Sequence, residues 1–493
     1  MMRIDVEQVY RSHPFVKEIL ERLQAAGFEA VLIGGVVRDG VRTQLEPGYP
    51  FPPEDIDIAT SASPEEIERL FRDVKVVDVG RPYGVMRVVA PDGRTYEVAS
   101  YRVEGAYRRG RWPEAVELVG DLESDVKRRD LTINGLAAQR DGEVVDYVGG
   151  IRDLKKKIID TIGDPEARFA EDYLRILRAV RCACELDGKI HPRVETAIQT
   201  HAARIREISN ERIRDELFKI LRTTNAAKGI RWLDEYGLLE EILPELVVTR
   251  GTPQPKHYHP EGDVFNHLVL TLEVADRHGI TDPILKLAVL LHDVGKPIAL
   301  EQNRGRNVAG HARIGAEIVA RIGRRLRLTN DQIGELRYLV QNHMRIADLP
   351  KMRRAKQVRF MQEGENPEAD PPMFEARFPR FAKLLELMID DFEASARQDE
   401  WRSVVAEAEA VAEHIAQLDH SRDPGTLING RDLLEMGVPE GPRVGEILGK
   451  VHEQILAGEI RTRDAALTAA ERLIEPGSNT ENDAQGGDRN NGL

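Results

Sequence analysis

Asp55 and Asp57 stand one residue apart beyond a double glycine and an arginine, in VLIGGVVRD followed by EDIDIAT. In an extended strand alternate side chains share a face, so the two carboxylates project together while Ile56 and Ile58 point into the core. Two hard carboxylates on one edge can bridge a pair of Mg²⁺ ions about 4 Å apart, one activating an attacking hydroxyl and the other steadying a triphosphate leaving group. Gly34 and Gly35 let backbone N–H groups approach phosphate oxygens, and Arg38 offers a charged fork to the same anion. Each element is common alone. Their order and closeness point to metal-assisted chemistry on a phosphate group.

A second set of polar residues lies in EDYLRILRAVR. Placed on a helix, Asp172, Arg175, Arg178 and Arg181 recur every three residues along one broad side, leaving Leu174, Leu177 and Val180 to pack. A carboxylate beside a guanidinium offers an acceptor next to a donor, which matches the amino group and ring nitrogen of cytosine or adenine. It mismatches the carbonyl and N–H of uracil or guanine. Such a pair accepts CTP and ATP and rejects the other two. Taken alone, the same spacing also reads as an ion-pair ladder on a solvated helix.

The elements that must position these groups change along the chain. Short β-like runs (EAVLIGG, KVVDVG, VMRVVA, TYEVASY, EVVDYV) mix with helical patches up to about residue 150, and SPEEIERLF carries a helix start with Ser63 as cap and Pro64 in the first turn. From about 160 the strand signals fade and long amphipathic segments take over. TPQPKHYHPEG is a proline-punctuated boundary, and PGSNTENDAQGGDRNNGL at the end is expected to be disordered. The 493 residues require two to four domains. A net charge of −14 argues against a chain that coats nucleic acid over its whole surface, while leaving room for a local basic cleft. The longest apolar stretches fall short of the roughly 20 residues of a membrane span, and the N-terminus lacks a secretory core, so a cytoplasmic protein is expected. Cys182 and Cys184 form neither a redox pair nor a zinc half-site and read as packed, reduced thiols.

On these residues the sequence resembles the class II tRNA nucleotidyltransferase and poly(A) polymerase family. GGVVRD with DID is similar to its metal and triphosphate motif, KRRDLTINGLA (Lys127 to Ala137) to its second motif, DYVGGIRDL (Asp146 to Leu154) to a hinge between head and neck, and EDYLRILRAVR to the protein template for the incoming base. The resemblance implies that Arg178 and Arg181 reach phosphates, with Arg128 or Arg129 contributing, and that Glu97 is a candidate third carboxylate. SYRVEGAYRRGRWPEAVEL resembles the flexible loop of CCA-adding members. RDGVRTQLEPGYPFPPEDID departs from the family in its length and lacks the usual LLG pattern, which leaves the loop 40–54 undefined. His267, His292 with Asp293, and Asp391 resemble the ligand set of an HD domain, a helical phosphohydrolase module whose imidazole and carboxylate donors suit a divalent transition metal or Mg²⁺. His311 and His343 stand where further ligands or phosphate contacts occur in that family, and Lys296 is a natural phosphate contact. The C-terminal segment, with Arg431, Arg443, Lys450, Arg461 and Arg463, resembles a tRNA-body-binding region.

The expected fold is α+β: an α/β nucleotidyltransferase head (1–155), a helical neck or body (156–252), a helical HD domain (257–400), a helical C-terminal region (401–475) and a disordered tail (476–493). The expected activity is template-independent addition or repair of the 3′-terminal CCA of tRNA from CTP and ATP, with Mg²⁺ and with no membrane partner. The alternatives are an A-adding or poly(A) polymerase of the same fold and, in another class, an HD phosphohydrolase with a non-catalytic RNA-binding head. Oligomeric state is not legible.

Overall fold

The computed structural model describes all residues except 1, 106, 109–111, 114–115, 367–373, 398, 419–423 and 475–493. The tail expected to be disordered and parts of the loop after Tyr101 therefore lie outside the described residues. The chain divides into two compact units, Met1–Gln254 with Glu261–Leu336, and Pro255–Pro260 with Arg337–Leu493. The segment 257–400, expected as one domain, is shared between them.

In the first unit a seven-stranded sheet holds the head. Its strands are β1 (Ala30–Ile33), β2 (Asp57–Thr60), β3 (Val76–Gly80), β4 (Val85–Val89) and β5 (Thr95–Ser100), completed after a hairpin by β10 (Leu136–Ala138) and β11 (Val144–Asp146). The hairpin pairs β6 (Arg102–Glu104) with β9 (Val116–Leu118) and β7 (Tyr107–Arg108) with β8 (Trp112–Pro113). The sheet order is β11-β10-β1-β2-β5-β4-β3, and only β2 and β5 run parallel. Val31, Ile33, Ala59, Tyr101, Val126 and Ala137 form a buried cluster behind it. In the stretch 40–54, expected to be undefined, residues 40–45 are helical, because Gly35–Leu45 continues unbroken from the double glycine.

Helix starts follow local chemistry. Ser63 caps Pro64–Leu70 and completes a capping box with Glu66, Asp164 caps Pro165–Glu171, and Asp282 caps Pro283–Leu291. In each case proline takes the first position, where its missing N–H costs nothing. The neck helices Leu174–Leu186, Asn210–Leu221 and Ala226–Glu235 follow, and then Val264–Arg277, Pro283–Leu291 and His311–Arg325. Pro283–Leu291 is apolar nearly all round, and eight of its residues are buried, as an interior helix requires. Cys182 and Cys184 are free thiols, both buried.

The second unit is helical. Arg354–Met361, Pro379–Ala394, Trp401–Gln417, Pro442–Leu456 and Arg463–Ile474 are its longer elements, and Ile428, Leu433, Ile447, Val451 and Ile455 form a core within it. Among the described residues no helix is long and apolar enough to cross a membrane.

Candidate active sites

Asp57 opens β2, where it registers with Ile33 of β1 and with Glu97 of β5, and Glu97 registers with Arg87 of β4. Residues in register share a face, so Asp57, Glu97 and Arg87 stand in one row across the sheet, with Arg87 donating to Glu97 at 2.7 Å. Ile56 and Ile58 on either side of Asp57 are buried. Gly34 caps the following helix at φ 76°, and a Cβ there would lie 3.7 Å from Asp57 Oδ2 and 3.8 Å from Arg129 Nη1. The glycine thus supplies a left-handed turn immediately beside the carboxylate. Asp57, Glu97, Arg102, Arg128 and Arg129 line a pocket of about 200 Å³.

The charge balance of this pocket is set by opposing groups. The surrounding protein pushes the Asp57 carboxyl above its ordinary value. Glu97 and Asp55 add to this, and Arg129 and Arg178 oppose it. Such crowding of carboxylates is relieved by a cation. Asp55 itself lies just before the strand and is exposed. Arg128 and Arg129 are held at the rim by Asp125, which accepts from both, with Arg128 Nε at 2.9 Å and Arg129 Nη2 at 3.2 Å. Burial would raise Asp125, yet Arg129 and Arg128 hold it below the usual carboxylate range. Asp125 was not singled out from the sequence. Its i,i+3 and i,i+4 spacing to the two arginines was the available signal.

Several arginines expected to face phosphate also join segments of the chain. Arg38, largely shielded, donates to Asp39 (Nε to Oδ1, 2.9 Å) and to Asn134 Oδ1 at 3.0 Å. Arg178 Nε donates to Asp130 at 2.6 Å, and Arg181 Nε donates to Glu216 at 2.7 Å. Burial favours a neutral Asp130, but Arg178 overrides it and holds the carboxyl far below the usual range. Arg175 bonds Glu171 and the carbonyl oxygens of Arg168 and Arg128. Asp172 does not lie on the helix with the arginines. It is the extended residue at the break after Pro165–Glu171, and its carboxylate pairs with Arg212. The hinge segment is drawn in by Asp146, which accepts the N–H groups of Val148, Gly149, Gly150 and Ile151. A Cβ on Gly150 would come within 2.2 Å of the Thr132 carbonyl oxygen, so only glycine permits this approach.

A second constellation in the first unit gathers around Asp293. His267 Nε2 lies 4.0 Å and His292 Nε2 3.4 Å from Asp293 Oδ2, and His311 Nε2 lies 3.1 Å from Oδ1. His267, His292 and Asp293 can place their donor atoms around one ion. Each ring is fixed from its far side: His267 Nδ1 by Glu261 at 2.7 Å, His292 Nδ1 by Val289 O at 2.9 Å and His311 Nδ1 by Val308 O at 2.9 Å. Because these partners only accept, each Nδ1 is the donor, and Nε2 is the ligand atom of the neutral ring. Imidazole and carboxylate donors fit a divalent cation. Lys296 is buried and shared between Asp293 and Gln254. His343 and Asp391 belong to the second unit. His343 is buried there with Nδ1 on Val340 O at 2.7 Å, and Asp390 is the fully buried member of its doublet while Asp391 is not.

The second unit also carries a groove of about 1680 Å³ in which Arg345, Lys351, Arg353, Arg354, Lys356, Arg359, Lys450 and Arg472 outnumber Asp348, Glu453 and Glu459. Arg463 pairs with Asp432 and Arg431 with Glu435.

Comparison with known proteins matches residues 30–160 to the poly A polymerase head domain, 189–248 to the RNA- and SrmB-binding site of polymerase A, 264–372 to the HD domain and 394–470 to tRNA nucleotidyltransferase domain 2. The chain is 40% identical over 224 residues to the CCA-adding enzyme of Bacillus licheniformis, a match covering 45% of this chain and 54% of that protein. The chain thus spans about half the length of that curated relative. Against the CCA-adding enzyme of Levilactobacillus brevis it is 29% identical over 472 residues, 95% of this chain and 99% of that protein. In structure it resembles the Bacillus stearothermophilus CCA-adding enzyme in complex with CTP, with a TM-score of 0.62, 26% identity, and coverage of 93% of this chain and 97% of that one. Its fold is also that of a Thermotoga maritima CCA-adding enzyme complexed with tRNA (TM-score 0.57, 19% identity, 96% and 100% coverage).

Proposed function

We propose that the chain is a member of the tRNA nucleotidyltransferase and poly(A) polymerase family with an HD domain, a reading supported by the matched head, RNA-binding and HD segments, and that it adds or repairs the 3′-terminal CCA of tRNA from CTP and ATP. The observation that carries this reading is the row of Asp57 and Glu97 beside Gly34 and Arg129 in one pocket. Asp55 and Asp57 are the residues that would hold divalent cations, Mg²⁺ in this reading, and Glu97 stands beside them. When bound, such cations lower the pKa of an attacking hydroxyl and spread the charge of a triphosphate. Arg128 and Arg129, fixed by Asp125, bind the phosphates from the rim. The tRNA 3′-oxygen attacks the α-phosphorus, the bond to the bridging oxygen breaks, and pyrophosphate leaves. Asp172 and Arg175 read the base, while Arg38, Arg178 and Arg181 act behind the pocket by holding head and neck in place. The basic groove of the second unit offers a track for tRNA phosphates.

A second activity, hydrolysis of phosphoesters at RNA 3′ ends, is supported by the three imidazoles whose Nδ1 atoms are fixed so that Nε2 faces Asp293. His267, His292 and Asp293 would hold the cation, which activates water when bound, and Lys296 lies within reach of a phosphate.

The test uses tRNA transcripts ending at the discriminator base, at C and at CC, with Mg²⁺ and each nucleotide singly or mixed. Completion of all three to CCA without UTP or GTP incorporation supports the reading. Addition of a single A to the CC-ended transcript alone makes the protein an A-adding enzyme, and long A tails on any RNA make it a poly(A) polymerase. Asp57→Asn removes addition and His292→Ala spares it. No addition by the wild-type chain, together with phosphate release from RNA 3′ ends that His292→Ala abolishes, would instead favour a phosphohydrolase with a non-catalytic head.

A further inference from the structure

We propose that Arg212 is a positioning residue for base selection, setting the carboxylate of Asp172 that meets the incoming nucleotide. This inference rests on the reading of the chain as a nucleotide-adding enzyme and extends it to a residue on a different helix. Asp172 sits at the break between Pro165–Glu171 and Leu174–Leu186 with φ −150° and ψ 107°. Its Oδ1 accepts the N–H of Leu174 at 3.0 Å. From the first turn of Asn210–Leu221, Arg212 closes on both oxygens, Nη2 to Oδ2 at 2.6 Å and Nη1 to Oδ1 at 3.3 Å. The pair is mostly shielded, with side-chain exposures of 26% for Arg212 and 18% for Asp172. The guanidinium of Arg175, expected from the sequence beside this carboxylate, is turned to Glu171 and to main-chain carbonyls.

Selection against uracil and guanine requires an acceptor that stays in place and offers no proton. A carboxylate held on one side by an N–H and on the other by a planar fork keeps both properties, whereas a released aspartate side chain can rotate to solvent or turn to accommodate a different base edge. The helix that carries Arg212 is itself anchored, because Glu216 one turn further on accepts from Arg181 at 2.7 Å. The position of the acceptor is therefore set 40 residues downstream of Asp172.

The experiment measures single-turnover kcat/KM of the full chain for CTP, ATP, UTP and GTP on a tRNA transcript ending at the discriminator base and on one ending at CC. Arg212→Gln is expected to lower the CTP-to-UTP ratio on the first transcript and the ATP-to-GTP ratio on the second by about tenfold or more, the scale of one hydrogen bond to a charged group. Arg212→Lys keeps the charge without the fork and recovers part of the ratio. Adding Arg212→Gln to Asp172→Asn lowers the ratio no further than Asp172→Asn alone. A purely structural role slows correct and wrong nucleotides alike. An unchanged ratio in both Arg212 variants, with wild-type selection intact, overturns the inference alone, and a wild-type chain that adds no nucleotide overturns the enzymatic reading together with it.

Discussion

Replacing Lys286 with methionine keeps the length of the side chain and removes its charge at a site with no access to water. Lys286 is 0% exposed on Pro283–Leu291, where it donates to the Asp276 carboxylate and, at 2.7 Å, to the carbonyl of Thr223. Asp276 also accepts the N–H of Ala227 at 2.9 Å, so the pair ties the neck helix Ala226–Glu235 to the two helices that lead to His267 and His292. Burial raises the Asp276 carboxyl above its ordinary value even against the pull of Lys286. A raised folded value means that the folded state binds the proton more tightly. Stability therefore falls as pH rises from the unfolded value of about 3.9 to the folded one, and is level beyond it. Without the ammonium the folded value climbs further and the falling slope, at most about 1.4 kcal/mol per pH unit, extends upward. Breaking one partner of a buried pair costs about 3–5 kcal/mol, and the full cost is expected at pH 8, where Asp276 is driven towards ionisation. At pH 6 the loss is smaller by up to about 2.7 kcal/mol, two units of that slope. Trp232 lies on the tied neck helix, so urea melts of a Trp112→Phe/Trp401→Phe background read the site directly. A loss below about 1 kcal/mol, or an equal loss at both pH values, refutes the reasoning.

Other outcomes follow from single contacts. The Asp130 carboxyl is depressed, so its stabilisation is present above the unfolded value of about 3.9 and disappears as pH falls through the folded value. Asp130→Asn should flatten the change in urea midpoint between pH 5 and pH 3, and an unchanged slope counts against the Arg178 pairing. Gly150→Ala should lower the thermal midpoint by an overpacking cost of about 1–3 kcal/mol, because its Cβ meets a carbonyl oxygen. Gly449→Ala, in open space on a helix, should gain up to about 1 kcal/mol in the same melt. Arg353→Glu/Lys356→Glu, in the groove of the second unit, should weaken tRNA binding and reduce its salt slope by about one for every phosphate no longer neutralised. Binding that is unaffected at 50 and 200 mM salt removes the groove from the RNA path.

What the sequence disclosed was local chemistry. The Ser63 cap and the inward Ile56 and Ile58 follow from spacing of one to three residues, where backbone geometry leaves few choices. The ligand-like histidines were also legible as types, because His292 and Asp293 are adjacent. Their orientation was not, since Glu261 acquires its meaning only when His267 folds back onto it six residues later. Asp390 and Asp391 show a related limit. The doublet marks the helix, but the helical phase that buries the first and not the second depends on neighbours far away in the chain.

The arginines mark that limit most sharply. A guanidinium on a long flexible stem can reach a phosphate, a carboxylate or a carbonyl from the same backbone position, so spacing on a helix identifies the side chain and leaves its partner open. The i,i+3 ladder from Asp172 to Arg181 assumed one continuous helix, and the break at Asp172 sends its members to different partners: Asp172 to Arg212, Arg178 to Asp130 and Arg181 to Glu216. These pairings join segments 35 to 48 residues apart, and each costs desolvation that a free surface arginine avoids. A chain that spends its arginines on such joints fixes the geometry around Asp57 before any nucleotide arrives. On the proposed reading, selectivity then depends as much on the helix Asn210–Leu221 as on the residues that touch the base.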